Sequence, residues 1–390
     1  MAVQSWSAAR LRGDGLKITI VLGPFQPLPP GGFGAVEKIW VELARAFAVR
    51  GHDVCVIGRG GSGRDDYVDA PGLRIIETPG SNATGRLILD LFKDLLYALR
   101  ITRAIPRSDI VVTNTFWLPV VLTPLKHLKG KVVVHVARYP KGQMWLYRGA
   151  DAIQAISGSV ARAITQQCPA LRRKVTVVGY PIDTAIYCPP AQRRRMSAEP
   201  VILYVGRIHP EKGVHLLVEA FRRVVDRIPS ALLRIVGPAA KRHGGGGNEY
   251  TRLLREAAAG LSVEFVEPIF DDAVLSDVYR EADCFCYPSL AEKGEAFGRA
   301  VLEAMATGLP CVVSNLQCFS DILTHELDGI VFDHSAQAPE LRLAESLIQV
   351  LADTGLSSRL GKNAAARAKE FELEKIATRY LDLFAAVAAN

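Results

Sequence analysis

The sequence predicts an α/β protein built from two doubly wound, Rossmann-like domains. Three observations lead there. Short β-branched runs alternate with helically spaced apolar runs along the chain. Several of the strand-like runs end in glycine, as strands turning into a loop often do. The length, 390 residues, exceeds one ordinary domain and suits two.

The elements follow in order. "LKITIVLG" (16–23) reads as a buried strand, followed by the loop "PFQPLPPGGFG" (24–34). "AVEKIWVELARAFAVRGH" then carries apolar residues at helical spacing and a glycine stop at Gly51. "DVCVIG" (53–58) completes a strand–helix–strand unit for a parallel sheet. Further strands are expected at 109–114, 131–136, 152–157 and 174–179, with a long apolar helix at 86–105 that bears Lys93, Arg100 and Arg103. The second half repeats the alternation, with strands at 200–206, 231–237, 263–268, 282–289 and 310–315 and a helix at 213–228. The join falls in "YPIDTAIYCPPAQRRRMSAEP" (180–200), where prolines and an arginine cluster interrupt the pattern. The expected domains are 16–185 and 186–371, after a polar, flexible extension at 1–15. A last helix at about 372–390 is expected to pack back on the first domain.

Composition narrows the class. Apolar residues make up 49% and charged residues 22%, as in globular proteins, and no apolar run reaches a bilayer-spanning length. The N-terminus lacks the apolar core of a secretory signal, so a cytoplasmic protein is expected. Seven cysteines in no framework spacing, with Cys284 and Cys286 inside an apolar run, read as buried thiols rather than a metal site. The net charge of +7 is uneven. Residues 1–180 hold 24 Lys and Arg against 12 Asp and Glu, whereas the remainder holds 23 against 28. The basic half suits an anionic acceptor or the inner membrane leaflet, or is simply a solvated surface. It lacks the interleaved aromatics of a nucleic-acid platform.

Two motifs carry chemistry. In "VGRIHPEKGVHLL" (205–217) a strand ends at Gly206, a loop offers Arg207 and Lys212, and a helix starts near Gly213. A planar guanidinium, a point charge and a helix N-terminus suit a diphosphate. Read alone, the stretch serves equally as a surface loop with incidental charges. In "GEAFGRAVLEA" (294–304), seven residues separate Glu295 from Glu303. The helix is expected to begin near Phe297 or Gly298, leaving Glu295 in the loop. Nine helical residues would set the two α-carbons about 12 Å apart on one element. A hydrolytic pair instead flanks one bond from opposite sides, about 5–9.5 Å apart. Two handles on one extended ligand fit better. Glu295 could also be a first-turn acid favoured by the helix dipole, but the small, apolar surroundings of Glu303 point to a buried, partnered carboxylate.

With these residues quoted, the chain resembles the retaining glycosyltransferases of family 4, which have the GT-B fold. "GRIHPEKG" (206–213) followed by "EAFGRAVLEAMATGLPCVVSN" (295–315) matches the family's two signature motifs. "GFGAVEKIWVELARAFAVRGHDVCVIG" (32–58) resembles its opening, and the likeness runs from about residue 17 to 370. It departs from the pattern at Ala35, at "YPID" (180–183), at "HV" (135–136) and at Glu267.

The resemblance implies two domains facing each other across a cleft, and transfer of a sugar from a nucleotide diphosphate sugar to an acceptor hydroxyl with retained configuration. A UDP-sugar such as UDP-glucose is the expected donor, with GDP-mannose second. By matched position, Arg207 and Lys212 would neutralise the leaving diphosphate. Glu303 would hold the ribose and Glu295 the donor sugar. His135 would face that sugar, although alone it reads as structural. Gly32, Phe33 and Gly34 would close over the phosphates. Gly206, Pro268, Ile269, Ala296, Phe297, Gly298 and Leu302 would complete the donor site, the base lying against "EPIF" (267–270). No metal or other cofactor is expected, and no loop carries an Asp-x-Asp placed to hold one. The acceptor would be a glycan, a glycolipid or a small glycoside; the basic excess of the first half and the helix at 86–105, rather than the resemblance, suggest contact with an anionic membrane surface. A sugar-nucleotide epimerase of the same fold, or a non-catalytic sugar-nucleotide-binding protein, would share the nucleotide grip.

Overall fold

The computed structural model describes residues 15–28, 35–61, 70–191 and 199–390. The chain divides into two compact units. The first holds β1 (Lys17–Val21), α1 (Ala35–Val49), β2 (Asp53–Arg59), β3 (Leu73–Thr78), α2 (Leu87–Ile101), β4 (Ile110–Thr113), α3 (Leu118–Leu122), α4 (Lys126–Lys129), β5 (Lys131–Val136), β6 (Ala152–Ala155), most of α5 (Gly158–Gln167) and β7 (Val175–Val177). Its strands form a parallel sheet in the order β3-β2-β1-β4-β5-β6-β7. β1, β4 and β6 are buried along most or all of their length, because helices cover both faces of a parallel sheet.

The second unit contains β8 (Val201–Val205), α6 (Val214–Arg227), β9 (Leu232–Val236), α7 (Gly247–Ala257), β10 (Val263–Val266), α8 (Asp272–Glu281), β11 (Cys284–Tyr287), α9 (Arg299–Ala306), β12 (Cys311–Ser314), β13 (Ile330–Phe332), α10 (Pro339–Ala352) and α11 (Thr354–Ala368). Its parallel order is β10-β9-β8-β11-β12-β13. α6 buries Leu217, Val218, Phe221 and Val224 on one face, each worth about 1.5–3 kcal/mol.

The last helix, α12 (Leu373–Ala389), lies in the first unit. Tyr380 packs edge-on against Trp40 of α1 at 5.1 Å, and Phe384 against Phe47 at 5.8 Å. The unit boundary differs from the one the sequence suggested. Residues 179–185 belong to the second unit, because the Ile182 amide donates to the Phe371 carbonyl at 2.8 Å and Ile182 bridges Glu372. Prolines and arginines marked the join in the sequence, while the backbone pairing that decides membership is non-local.

β3 and β13 escape a reading by apolar runs. β3 is half-exposed and carries Arg74 and Glu77, and β13 has three residues. α2 ends at Ile101, short of the expected 105, in a turn ahead of Pro106. Cys284 and Cys286 are buried free thiols, and burial pushes both well above their ordinary range. The expected extension at 1–15 lies almost wholly outside the described residues.

Candidate functional site

An open parallel sheet binds ligands beyond the carboxyl ends of its strands, where the strand order reverses. In the second unit that point lies between β8 and β11, which pair through Leu203 and Phe285. Arg207 and Lys212 follow β8, and Glu295 follows β11. The topology therefore brings together two motifs that are far apart in sequence.

The loop after β8 is tightly fixed. The Tyr204 hydroxyl donates to the Arg207 carbonyl at 2.8 Å. His209 Nδ1 accepts from the Glu211 amide and caps the turn Pro210–Lys212. Gly213 then starts α6 with φ +68°, and a Cβ there would stand 2.0 Å from the Pro288 carbonyl oxygen, so only glycine fits. The Leu290 amide donates to the Glu211 carbonyl at 2.8 Å, tying this loop to the one after β11.

Lys212 is buried, and its Nζ lies 2.6 Å from Glu295 Oε2, also buried. The ammonium stands 5.8 Å from the centroid of the Tyr287 ring, which stacks on Tyr204 at an interplanar angle of 9°. Arg207 Nη2 donates to Glu211 Oε1 at 2.7 Å and Nη1 to the Gly244 carbonyl at 2.8 Å. Burial opposes ionisation of Glu211, but Arg207 and Lys212 outweigh it and hold that carboxyl below its ordinary value. Each cation thus has a carboxylate beside it.

Glu303 sits inside α9, 7% exposed. The Tyr279 hydroxyl donates to its Oε2 at 3.0 Å and Arg299 Nε to its Oε1 at 2.9 Å. Burial pushes its pKa up, against the Arg299 charge and these hydrogen bonds. Each carboxylate oxygen has further lone-pair capacity for a ligand hydroxyl. Gly298 caps α9 at φ +89°, with the Phe319 ring 2.6 Å from where a Cβ would sit. The first amides of α9 have no intrahelical acceptor and suit an anionic or hydroxyl-bearing ligand.

The remaining expected residues divide. Gly206 and Ala296 flank these loops, and Pro268 and Ile269 lie in the loop between β10 and α8. The Phe297 side chain is buried against Tyr180 and Phe371, which leaves its backbone for any ligand contact. Leu302 is fully buried on α9. Gly32, Phe33 and Gly34 lie outside the described residues.

His135 is in the first unit, at the end of β5. Its Nδ1 meets the Gln154 side chain, and its ring packs edge-on against Trp40 at 5.2 Å. Burial pushes its pKa down to about 4 despite the Gln154 hydrogen bond, so the imidazole is neutral at neutral pH. In the same unit the strand order reverses between β1 and β4, and Asp94 of α2 accepts the Trp117 amide at 2.8 Å beside that point.

Tyr204, Glu211, Tyr279, Tyr287, Arg299 and the Gly244 carbonyl were not among the expected site residues. "KRHGGGGNEY" (241–250) reads in the sequence as a mobile loop, yet Gly244 holds Arg207, and the Gly246 amide donates to Ile208 at 2.8 Å. β8 and β9 pair side by side, which places their following loops together. Among the described residues no group of three or more His, Cys, Asp or Glu could hold a metal ion.

Comparison with known proteins places the chain in a family. The family model "Glycosyl transferases group 1" matches residues 190–367, and "Glycosyl transferase 4-like domain" matches residues 34–191. A D-inositol 3-phosphate glycosyltransferase of Xylanimonas cellulosilytica is 25% identical over 94% of this chain and 95% of its own length. The one from Kribbella flavida is 29% identical over 60% of this chain, and that match spans 56% of the relative. Among solved structures, HepE from Anabaena in complex with UDP and glucose superposes with a TM-score of 0.72 at 17% identity, over 95% of this chain and all of that one, which is a likeness of fold.

Proposed function

This chain belongs to the group 1 glycosyltransferases of family 4, with the GT-B fold, and from that premise we propose that it moves a sugar from a UDP-sugar, such as UDP-glucose, to an acceptor hydroxyl with retention of configuration. GDP-mannose is the second donor to test. The observation that carries the reading is the pairing of Lys212 with Glu295 at the switch point of the second unit, in the same loop as Arg207 and next to α9 and Glu303. HepE, which was solved with UDP and glucose, supports the choice of donor.

In this reading Arg207 and Lys212 neutralise the charge that grows on the diphosphate as the glycosidic bond breaks, which stabilises the transition state more than the ground state. Glu303 accepts hydrogen bonds from the ribose hydroxyls and Glu295 from the sugar hydroxyls. As sugar hydroxyls share Glu295, the Lys212 ammonium turns toward phosphate. A front-side route follows, in which the leaving phosphate takes the proton of the attacking acceptor hydroxyl. Protein cations carry the charge, so transfer proceeds in EDTA. The first unit, with its basic excess, receives the acceptor, an anionic or lipid-linked glycan at the inner membrane face. The name of the inositol phosphate relatives supports an anionic acceptor. His135 in its neutral form can hydrogen-bond a donor hydroxyl but does not act as an acid.

A thermal-shift panel of nucleotide sugars tests the donor, because a ligand stabilises the native state according to its affinity. A selective upward shift with UDP-glucose is expected. No shift with any nucleotide sugar overturns the reading. NMR of the product anomer checks retention.

A further inference from the structure

α2 carries its polarity inside out. Its inner face buries Asp94, Tyr97, Ala98 and Ile101. The Asp94 carboxylate is occupied by the Trp117 amide, and the Tyr97 hydroxyl donates to the Leu22 carbonyl at 3.1 Å. The outer face is apolar. Ile88, Phe92, Leu96 and Leu99 are 82%, 57%, 51% and 52% exposed, with Leu87 and Leu89 also exposed at the helix start. Positions 88, 92, 96 and 99 recur every three or four residues, so they form one stripe about 16 Å long. Monomeric proteins seldom leave such a contiguous patch without a use.

The rim of the stripe is basic. Arg86, Arg100 and Arg103 are exposed, and Lys93 is half-buried. Lys93 donates to the Asn82 carbonyl and Arg100 to the Pro79 carbonyl, so neither bond cancels a charge. Asp90, the acid of the first turn, accepts from the Thr84 amide and hydroxyl and from the Gly85 amide, which fixes the approach to the helix. Burial removes Asp94 from the surface. An apolar stripe between cationic side chains with long apolar stems is the pattern of a helix lying in a membrane interface, stems in the headgroup boundary and charges at the phosphates. The same charges oppose a second copy of this chain, since two basic faces would repel. Among the described residues no helix is long and apolar enough to cross a membrane, so α2 would lie on the bilayer rather than span it.

We propose that the outer face of α2 docks the protein on an anionic lipid surface, with Ile88, Phe92, Leu96 and Leu99 inserted and Arg86, Lys93, Arg100 and Arg103 at the headgroups. The proposal deepens the acceptor reading above and rests on it for its purpose. Vesicle binding and nucleotide binding are measured separately, so either can fail alone.

The test is co-sedimentation with phosphatidylglycerol/phosphatidylcholine vesicles and with phosphatidylcholine alone, combined with light scattering in the absence of lipid. The wild-type protein should bind the anionic vesicles, release them as salt rises, and bind the neutral ones weakly. Phe92→Glu/Leu96→Glu should weaken anionic binding at least about tenfold, and Arg100→Gln/Arg103→Gln by about fivefold per charge. Both variants should keep the wild-type melting curve and the thermal shift with UDP-glucose. Three results would overturn the proposal: no binding to anionic vesicles at low salt, undiminished binding by the Glu variant, or a lipid-free dimer that the Glu variant dissociates.

Discussion

Lys212 and Glu295, 83 residues apart in sequence, form a buried ion pair with Nζ 2.6 Å from Oε2. The pair joins the loop after β8 to the loop after β11 where the strand order of the second unit reverses. It supplies both fold stability and the charged groups of the site, and substitutions can separate the two contributions.

Removing one partner of a buried pair strands the other charge, so Lys212→Ala should cost about 3–5 kcal/mol of stability. Lys212→Met/Glu295→Gln removes both charges and should recover most of that in urea melts. Neither variant should transfer sugar at more than about a tenth of the wild-type rate, a loss of at least about 1.4 kcal/mol in transition-state stabilisation. Near-normal turnover by the double variant would remove Lys212 and Glu295 from the chemistry.

Glu303 accepts from Tyr279 and Arg299, so its role can be graded. Glu303→Ala should lower kcat/KM for the donor at least about tenfold. Tyr279→Phe leaves the carboxylate in place but less firmly held, and should raise the donor KM about threefold with little change in kcat. Steady-state kinetics against donor concentration distinguishes the two. An equal loss of kcat in both would mean that Tyr279 acts directly on the reaction.

Glu211 pairs with Arg207 at 2.7 Å, so in the proposed reading it competes with the diphosphate for that guanidinium. The pair is partly exposed, where such interactions are worth about 1 kcal/mol or less. Glu211→Gln should therefore tighten UDP binding by up to about fivefold in calorimetry. Weaker UDP binding by this variant would show that Glu211 positions Arg207 rather than competing for it.

His135 titrates at about 4 in the fold, below its ordinary value of 6.5. Between those values the unfolded chain binds a proton that the native state does not. The stability from a neutral His135 is therefore complete above pH 6.5 and drains away as pH falls toward 4. Relative to His135→Gln, the wild-type protein should lose about 2 kcal/mol by pH 5, read from urea midpoints across pH. A difference that does not change with pH would contradict the burial argument.

The second-unit site was legible in the sequence to the extent that it is local. Arg207, Lys212 and Gly213 lie in one loop, and Glu295, Gly298 and Glu303 on one loop and helix, so their spacing along the chain expressed their roles. The buried carboxylate at 303 was readable from its small, apolar neighbours. Its actual partner Tyr279 was not, because α8 and α9 come together only in the tertiary structure. The hold of Gly244 on Arg207 was equally hidden, since a glycine-rich run gives no sign of what its carbonyls meet.

On its own, then, the sequence determined the two parallel sheets, their order of construction and the residue types available at the strand ends, because period, glycine placement and β-branching act over a few residues. Only the tertiary structure decided which charges meet which. It paired Lys212 with Glu295 and Arg207 with Glu211, drew His135 into a neutral core position and assigned residues 179–185 to the second unit. It also turned the apolar side of α2 outward, because Asp94 and Tyr97 are held inside by backbone groups of the segments that follow β4 and β1. Hydrogen bonds and ion pairs depend on ångström-scale proximity between distant segments, and proximity of that kind is set by packing rather than by local pattern.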